Sequence, residues 1–253
     1  MANAGPTRLT GGVADKIAPI LLAVGAVLST LGFILTFTVA GVVNGAAVDG
    51  VELIGDQMVS NQLLFSQKIF YFHMPVAVVS MMALALTAFF GIRFLMTRNA
   101  LYDAKAMTAT EVALVFVLMT MASGEMWERF EWGVWWTWEP RLTTYFILML
   151  LVIGYFILRA AVDEPERRAT YASVFGIITF IDVPICFMIT RLVPSSVHPV
   201  IFRTDSGLSP DMLAPLMCAM FGMMLVAFGV WRWRLRVEDL SLRVEAIKEA
   251  LDE

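Results

Sequence analysis

IAPILLAVGAVLSTLGFILTFTVAGVV, residues 17–43, runs its whole length without a charged side chain. A helix that crosses a bilayer needs about 20 mostly apolar residues, and this stretch exceeds that. It is too long for the apolar core of a cleavable signal, and only Arg8 and Lys16 precede it as basic residues, so it reads as a retained first span. Five further runs meet the same requirement, at residues 69–92, 107–124, 142–158, 169–190 and 212–231. Glu111 falls within the third, and Asp182 with Pro184 within the fifth. The composition agrees: 59% of the 253 residues are hydrophobic and 16% charged, whereas soluble domains run near ~45–50% and ~25%. A water-soluble enzyme and a disordered chain are both excluded. So is a nucleic-acid binder, because 18 Lys and Arg stand against 22 Asp and Glu and no basic face can collect phosphates. Cys186 and Cys218 lie apart inside apolar runs, giving neither a disulfide framework nor a CxxC pair.

Lys and Arg stay preferentially on the cytoplasmic side of a membrane. With the N-terminus inside, thirteen of the 18 fall in cytoplasmic segments, and Lys68, Arg129, Arg141, Arg191 and Arg203 fall outside. The expected fold is therefore an all-α integral membrane protein of six transmembrane helices, with both termini cytoplasmic and a Trp-rich outer-face loop between spans 3 and 4. Residues 1–236 form one membrane-embedded domain. Residues 237–253, VEDLSLRVEAIKEALDE, form a short amphipathic tail with Leu240, Val244, Ile247 and Leu251 on one helical face.

This topology gathers three segments at the outer face: the approach to His73, the Trp-rich loop, and the segment containing His198. These are the chain's 2 histidines. The loop reads WGVWWTW, residues 132–138, and places Trp132, Trp135, Trp136 and Trp138 within seven positions. An interfacial aromatic belt accounts for scattered indoles; four so close form a platform suited to a large, flat, apolar ligand. A histidine at a membrane edge is commonly just a hydrogen-bonded residue. Two of them flanking an aromatic platform are also suited to bind haem iron from opposite faces. Zinc lacks further ligands at metal spacing. Haem propionates need cations at the water boundary, and Arg129, Arg141, Arg191 and Arg203 are available, unless they pair with nearby glutamates such as Glu125, Glu128, Glu131 or Glu139. Asp182 must face the bundle or a cavity. No GxxxxGK[ST], CxxCH, GxSxG or HExxH occurs, so the chain lacks a P-loop for ATP hydrolysis, and a haem would be held without thioether bonds; haem b is the expected form.

At WGVWWTWEPRLT, residues 132–143, the sequence resembles the tryptophan-rich signature of the cytochrome c assembly family, in the layout of its maturation protein C branch. KIFYFHMPVA, residues 68–77, and FIDVPICFMITRLVPSSVHP, residues 180–199, resemble that family's two haem-ligand segments. The resemblance implies a haem-handling protein rather than an enzyme. It lies in the cytoplasmic (inner) membrane of a bacterium with its haem site facing outward, His73 and His198 are axial ligands, and the four tryptophans hold the macrocycle. It further implies delivery of haem to a membrane-anchored haem chaperone, alongside ABC-type ATPase and permease subunits and a small accessory membrane protein. Two departures stand out. Glu139 follows Trp138 where the family commonly has Asp, and the segment before His198 lacks the tryptophans often found there. Arg129 and Arg141 are the preferred propionate partners. A haem lyase subunit would be longer, with more histidines. A b-type electron-transfer subunit would place its ligands deeper, and a solute permease would show inverted repeats and polar groups at the midplane.

Overall fold

A computed structural model of the protein describes residues 9–40, 47–48, 51–54, 57–60, 67–193 and 210–252. Six long helices dominate: α1 (Val13–Thr38), α2 (Phe70–Thr97), α3 (Ala100–Trp132), α4 (Pro140–Ala161), α5 (Pro165–Leu192) and α6 (Pro210–Asp252). Each includes a stretch long and apolar enough to cross a membrane. All six overlap the runs expected from sequence. Helices α3 and α6 extend well beyond theirs, because helix continues past the apolar window wherever backbone bonding and ion pairs support it.

The all-α architecture of six helices stands as expected, with one small addition. Between α1 and α2, strands β1 (Ala47–Val48), β2 (Val51–Ile54) and β3 (Gln57–Ser60) form an antiparallel sheet in that order, with Val48 opposite Val51 and Ile54 opposite Gln57. The strands carry β-branched Val48, Val51, Ile54 and Val59. The intervening dipeptides are Asp49-Gly50 and Gly55-Asp56, residue types that short hairpin loops favour. A search for apolar spans passes over so short a signal.

Helix α2 sits at the centre, against α3, α5 and α6, while α4 packs on α5 and α3. The buried core between them includes Val76, Leu84, Ala113, Val117, Leu148 and Val152, all at 0–1% exposure or close to it. Helix α1 lies at the periphery and packs mainly along α6. Their seam is built from small residues, since lipid gives apolar side chains no incentive to leave it and close backbone approach stabilises the pair. A Cβ on Gly25 would stand 2.8 Å from Gly222 O, and one on Gly222 would stand 2.5 Å from Ser29 N. The other faces of α1 expose Ile20, Val27, Ile34 and Phe37, as lipid contact requires.

The two ends of the bundle differ. At the end where α1 begins, ion pairs tie the helices together. Asp15 meets Arg232, Arg159 holds Asp103 through two bonds of 2.6 and 3.0 Å, and Arg234 reaches Glu111 at 2.6 Å. The Glu111 carboxylate within the third span is thus partnered from α6. Asp239 accepts from Leu9 N at 3.0 Å and Thr10 Oγ1 at 2.9 Å, and pairs with Arg243. At the opposite end, α2 begins, α3 ends and α4 begins around a cavity.

Candidate functional site

The cavity has a volume of about 270 Å³, just below the ~300–1,000 Å³ usual for small-ligand sites. Its walls come from the first turns of α2 and α4, the last turns of α3 and the connection between α3 and α4. Thr120, Gly124, Glu128 and Trp132 recur every four residues along one face of α3 and line it, as do His73, Trp136 and Arg141. Ala77, Met81, Met121, Trp127 and Leu142 add apolar surface, and Glu125 adds a second carboxylate to that of Glu128.

His73 lies in the first turn of α2. Its Nδ1 is 3.0 Å from Ser123 Oγ, and its ring meets Trp127 edge-on with centroids 5.9 Å apart. The imidazole passes directly over Gly124, where a Cβ would stand 3.1 Å from Cε1. Any larger residue there displaces the ring. Deeper in the cavity, the Tyr145 hydroxyl and Ser80 Oγ share a 2.7 Å hydrogen bond.

The tryptophan connection is fixed at both ends by local chemistry. Helix α3 stops because Gly133 takes φ +76°, a left-handed conformation that a side chain disfavours. Arg129 donates to Gly133 O and lies over the Trp135 ring, 5.9 Å from its centroid. Helix α4 starts at Pro140, with Glu139 as its cap accepting from Leu142 N at 2.8 Å. The carboxylate that stands where the family commonly has Asp therefore ends the loop and opens the next helix. Between these points, Trp136 meets Trp138 and Phe146 edge-to-face at 5.5 and 5.6 Å.

The expected site residues are distributed unevenly. His73, Trp132, Trp136 and Arg141 come together on the cavity. Trp135 and Trp138 are 61% and 73% exposed. Arg129 is engaged with the loop itself and does not line the cavity. Arg141 lies within the electrostatic reach of Glu139, and the indole Nε1 of Trp136 is buried without a hydrogen-bond acceptor among the described residues. His198 and Arg203 lie outside the described residues. Asp182 is buried in α5 and accepts from Cys186 Sγ at 3.5 Å, so it faces the bundle. Ser123, Gly124, Trp127 and Tyr145 were not singled out by sequence reading. The four-residue recurrence leading back from Trp132 was the available signal for Gly124, and the adjoining face carries Ser123 and Trp127.

Residues 57–250 match the CcmC family, described as heme exporter protein C. The chain belongs to that family. It is similar to heme exporter protein C of Bradyrhizobium diazoefficiens, 30% identical over 186 residues that cover 72% of this chain and 70% of the relative. It is also similar to heme exporter protein C of Escherichia coli K12, 28% identical over 174 residues, covering 68% and 69% respectively. A ccmC-like mitochondrial protein of Arabidopsis thaliana is 27% identical over 188 residues, covering 74% and 71%. The chain is accordingly a multi-pass inner-membrane protein of the CcmC type, with a haem-handling role in cytochrome c maturation.

Proposed function

We propose that the cavity holds one edge of haem b at the outer face of the membrane and presents the rest to a haem chaperone. The observation that carries this is the meeting, in one cavity, of an imidazole, three indoles and the guanidinium of Arg141. A tetrapyrrole is larger than the cavity, so part of the disc stays outside, as cargo that must leave requires. His73 is one axial ligand, and His198 is assigned as the second on the sequence around it. Trp132 and Trp136 lie against the macrocycle. Arg141 receives a propionate, and the Trp136 Nε1–H is a further donor. A guanidinium that lines the cavity can hold a carboxylate through two parallel hydrogen bonds. Arg129 holds the loop shape, while exposed Trp135 and Trp138 offer apolar area to the arriving partner. The covalent chemistry then occurs on the chaperone. ABC-type ATPase and permease subunits and a small accessory membrane protein complete the assembly.

The test is an absorption spectrum of the purified protein loaded with haemin, beside His73→Ala and His198→Ala, together with chaperone loading by each. A low-spin bis-imidazole spectrum lost in both variants, with loading abolished, is expected. Full loading by the double variant overturns the reading.

A further inference from the structure

We infer that Ser123 is a positioning residue for His73: it fixes which ring nitrogen carries the proton, and so which one faces the iron. The inference rests on the reading of His73 as a haem ligand.

The argument starts from the serine. Within a helix, a serine hydroxyl donates to a carbonyl about one turn back, and Ser123 Oγ lies 2.8 Å from Met119 O and 3.1 Å from Thr120 O. Its single proton is thereby committed. What this arrangement turns toward His73 is an oxygen lone pair 3.0 Å from Nδ1, so Nδ1 is assigned as the nitrogen that donates. In a neutral imidazole, which has one N–H, a proton on Nδ1 puts the lone pair that a metal takes on Nε2. The ring's orientation has a separate cause. Gly124 lets Cε1 approach the α3 backbone, and the Trp127 ring closes one side. Three neighbouring residues of one helix therefore set both the direction and the protonation of the imidazole.

Metal-bound histidines usually give their second N–H to a carboxylate, a carbonyl or water, which raises ligand basicity. Here the acceptor is a neutral hydroxyl whose own proton is already donated. It orients the ring but adds less negative charge than a carboxylate does. The iron–imidazole bond is thus ordered yet exchangeable, which suits a site that must release its haem.

The test uses the full-length protein loaded with haemin, in wild type, Ser123→Ala, Ser123→Thr, Ser123→Asp and His73→Ala forms. Two quantities are read: the iron midpoint potential and the rate of haem loss to an apomyoglobin scavenger. Ser123→Ala is expected to lose haem about tenfold faster and to raise the potential, since a less electron-rich ligand favours ferrous iron. Ser123→Thr keeps the hydroxyl and restores both. Ser123→Asp lowers the potential and slows release. Loss of the low-spin spectrum in His73→Ala with an unchanged potential and release rate in Ser123→Ala overturns the role of Ser123 and leaves ligation standing. Faster release without a change in potential, not restored by Thr, reduces Ser123 to packing and also overturns it. A wild-type spectrum in His73→Ala removes the ligation reading itself, and the inference with it.

Discussion

Arg129 and Arg141 bracket the same tryptophan connection, yet the backbone directs them to different work. Arg129 closes the α3 terminus at Gly133, while Arg141 points into the cavity. Replacing Arg141 with Gln is expected to weaken haem binding about tenfold to a hundredfold, the loss of a charged hydrogen bond being about 1.5–3 kcal/mol. Arg141→Lys recovers only part of this, because an ammonium lacks the planar fork. Arg129→Gln leaves haem affinity within about twofold and lowers stability by up to about 1 kcal/mol, the usual worth of one such bond. Haemin titration and thermal melting of the same samples separate the two effects, and equal affinity losses would contradict the division. Both arginines were legible in the sequence as outer-side cations. Their difference was not, because it depends on the left-handed turn at Gly133, which a charge count does not see. His73 was legible from its residue type, its outer-face position and the segment around it, whereas Ser123 and Gly124 look like ordinary helix residues until α2 is laid against α3.

Among the elements, helix starts are the most clearly encoded. Glu139-Pro140 and Glu164-Pro165 each place an acidic cap before a proline, at the starts of α4 and α5. Glu139→Ala is expected to cost about 1 kcal/mol and to loosen the Trp136–Trp138 arrangement, seen as a red shift of tryptophan emission; Glu139→Asp should keep both near wild type. At Glu164 the backbone N–H groups of Arg167 and then Glu166 hold the carboxyl below its ordinary value of 4.5. A depressed folded-state value means that this cap stabilises α5 above about pH 4.5 and is lost as pH falls through the lower folded value. Glu164→Gln should therefore flatten part of the acid side of the melting profile, and an unaltered profile would count against the cap. The six spans were readable because apolar length is a one-dimensional property. The small sheet escaped because its signal is short and alternating, and the partnering of Glu111 by Arg234 escaped because it joins residues far apart in the chain.

For the molecule as a whole, the ion-paired end and the cavity end lie at opposite ends of the same helices, which fits the expected placement of the cavity outside and the termini inside. In a background with Cys186 and Cys218 replaced, a cysteine at Trp135 should react with a membrane-impermeant maleimide from the outside, and one at Val244 only in inverted vesicles. The reverse pattern would turn the molecule over and remove any access of an outer chaperone to the cavity. Helix α6, with 43 residues and about 64 Å of length at 1.5 Å per residue, is far longer than a bilayer core of about 30 Å. It therefore projects from the end where α1 begins, with Leu240, Val244, Ile247 and Leu251 exposed.

The seam between α1 and α6 has a consequence for how the protein is put together. The family match begins at residue 57, after α1, and α1 touches the remaining helices almost entirely through α6, along a line of small residues closed at one end by the Asp15–Arg232 ion pair. A helix attached in this way inserts by itself and docks sideways afterwards. Co-expressing residues 1–50 and 51–253 as separate chains should rebuild a haem-binding protein, whereas Gly222→Leu should keep the halves from co-purifying. The leading helix is in this sense a detachable strut: connected in the gene, but joined to its neighbours by close packing and an ion pair at its base.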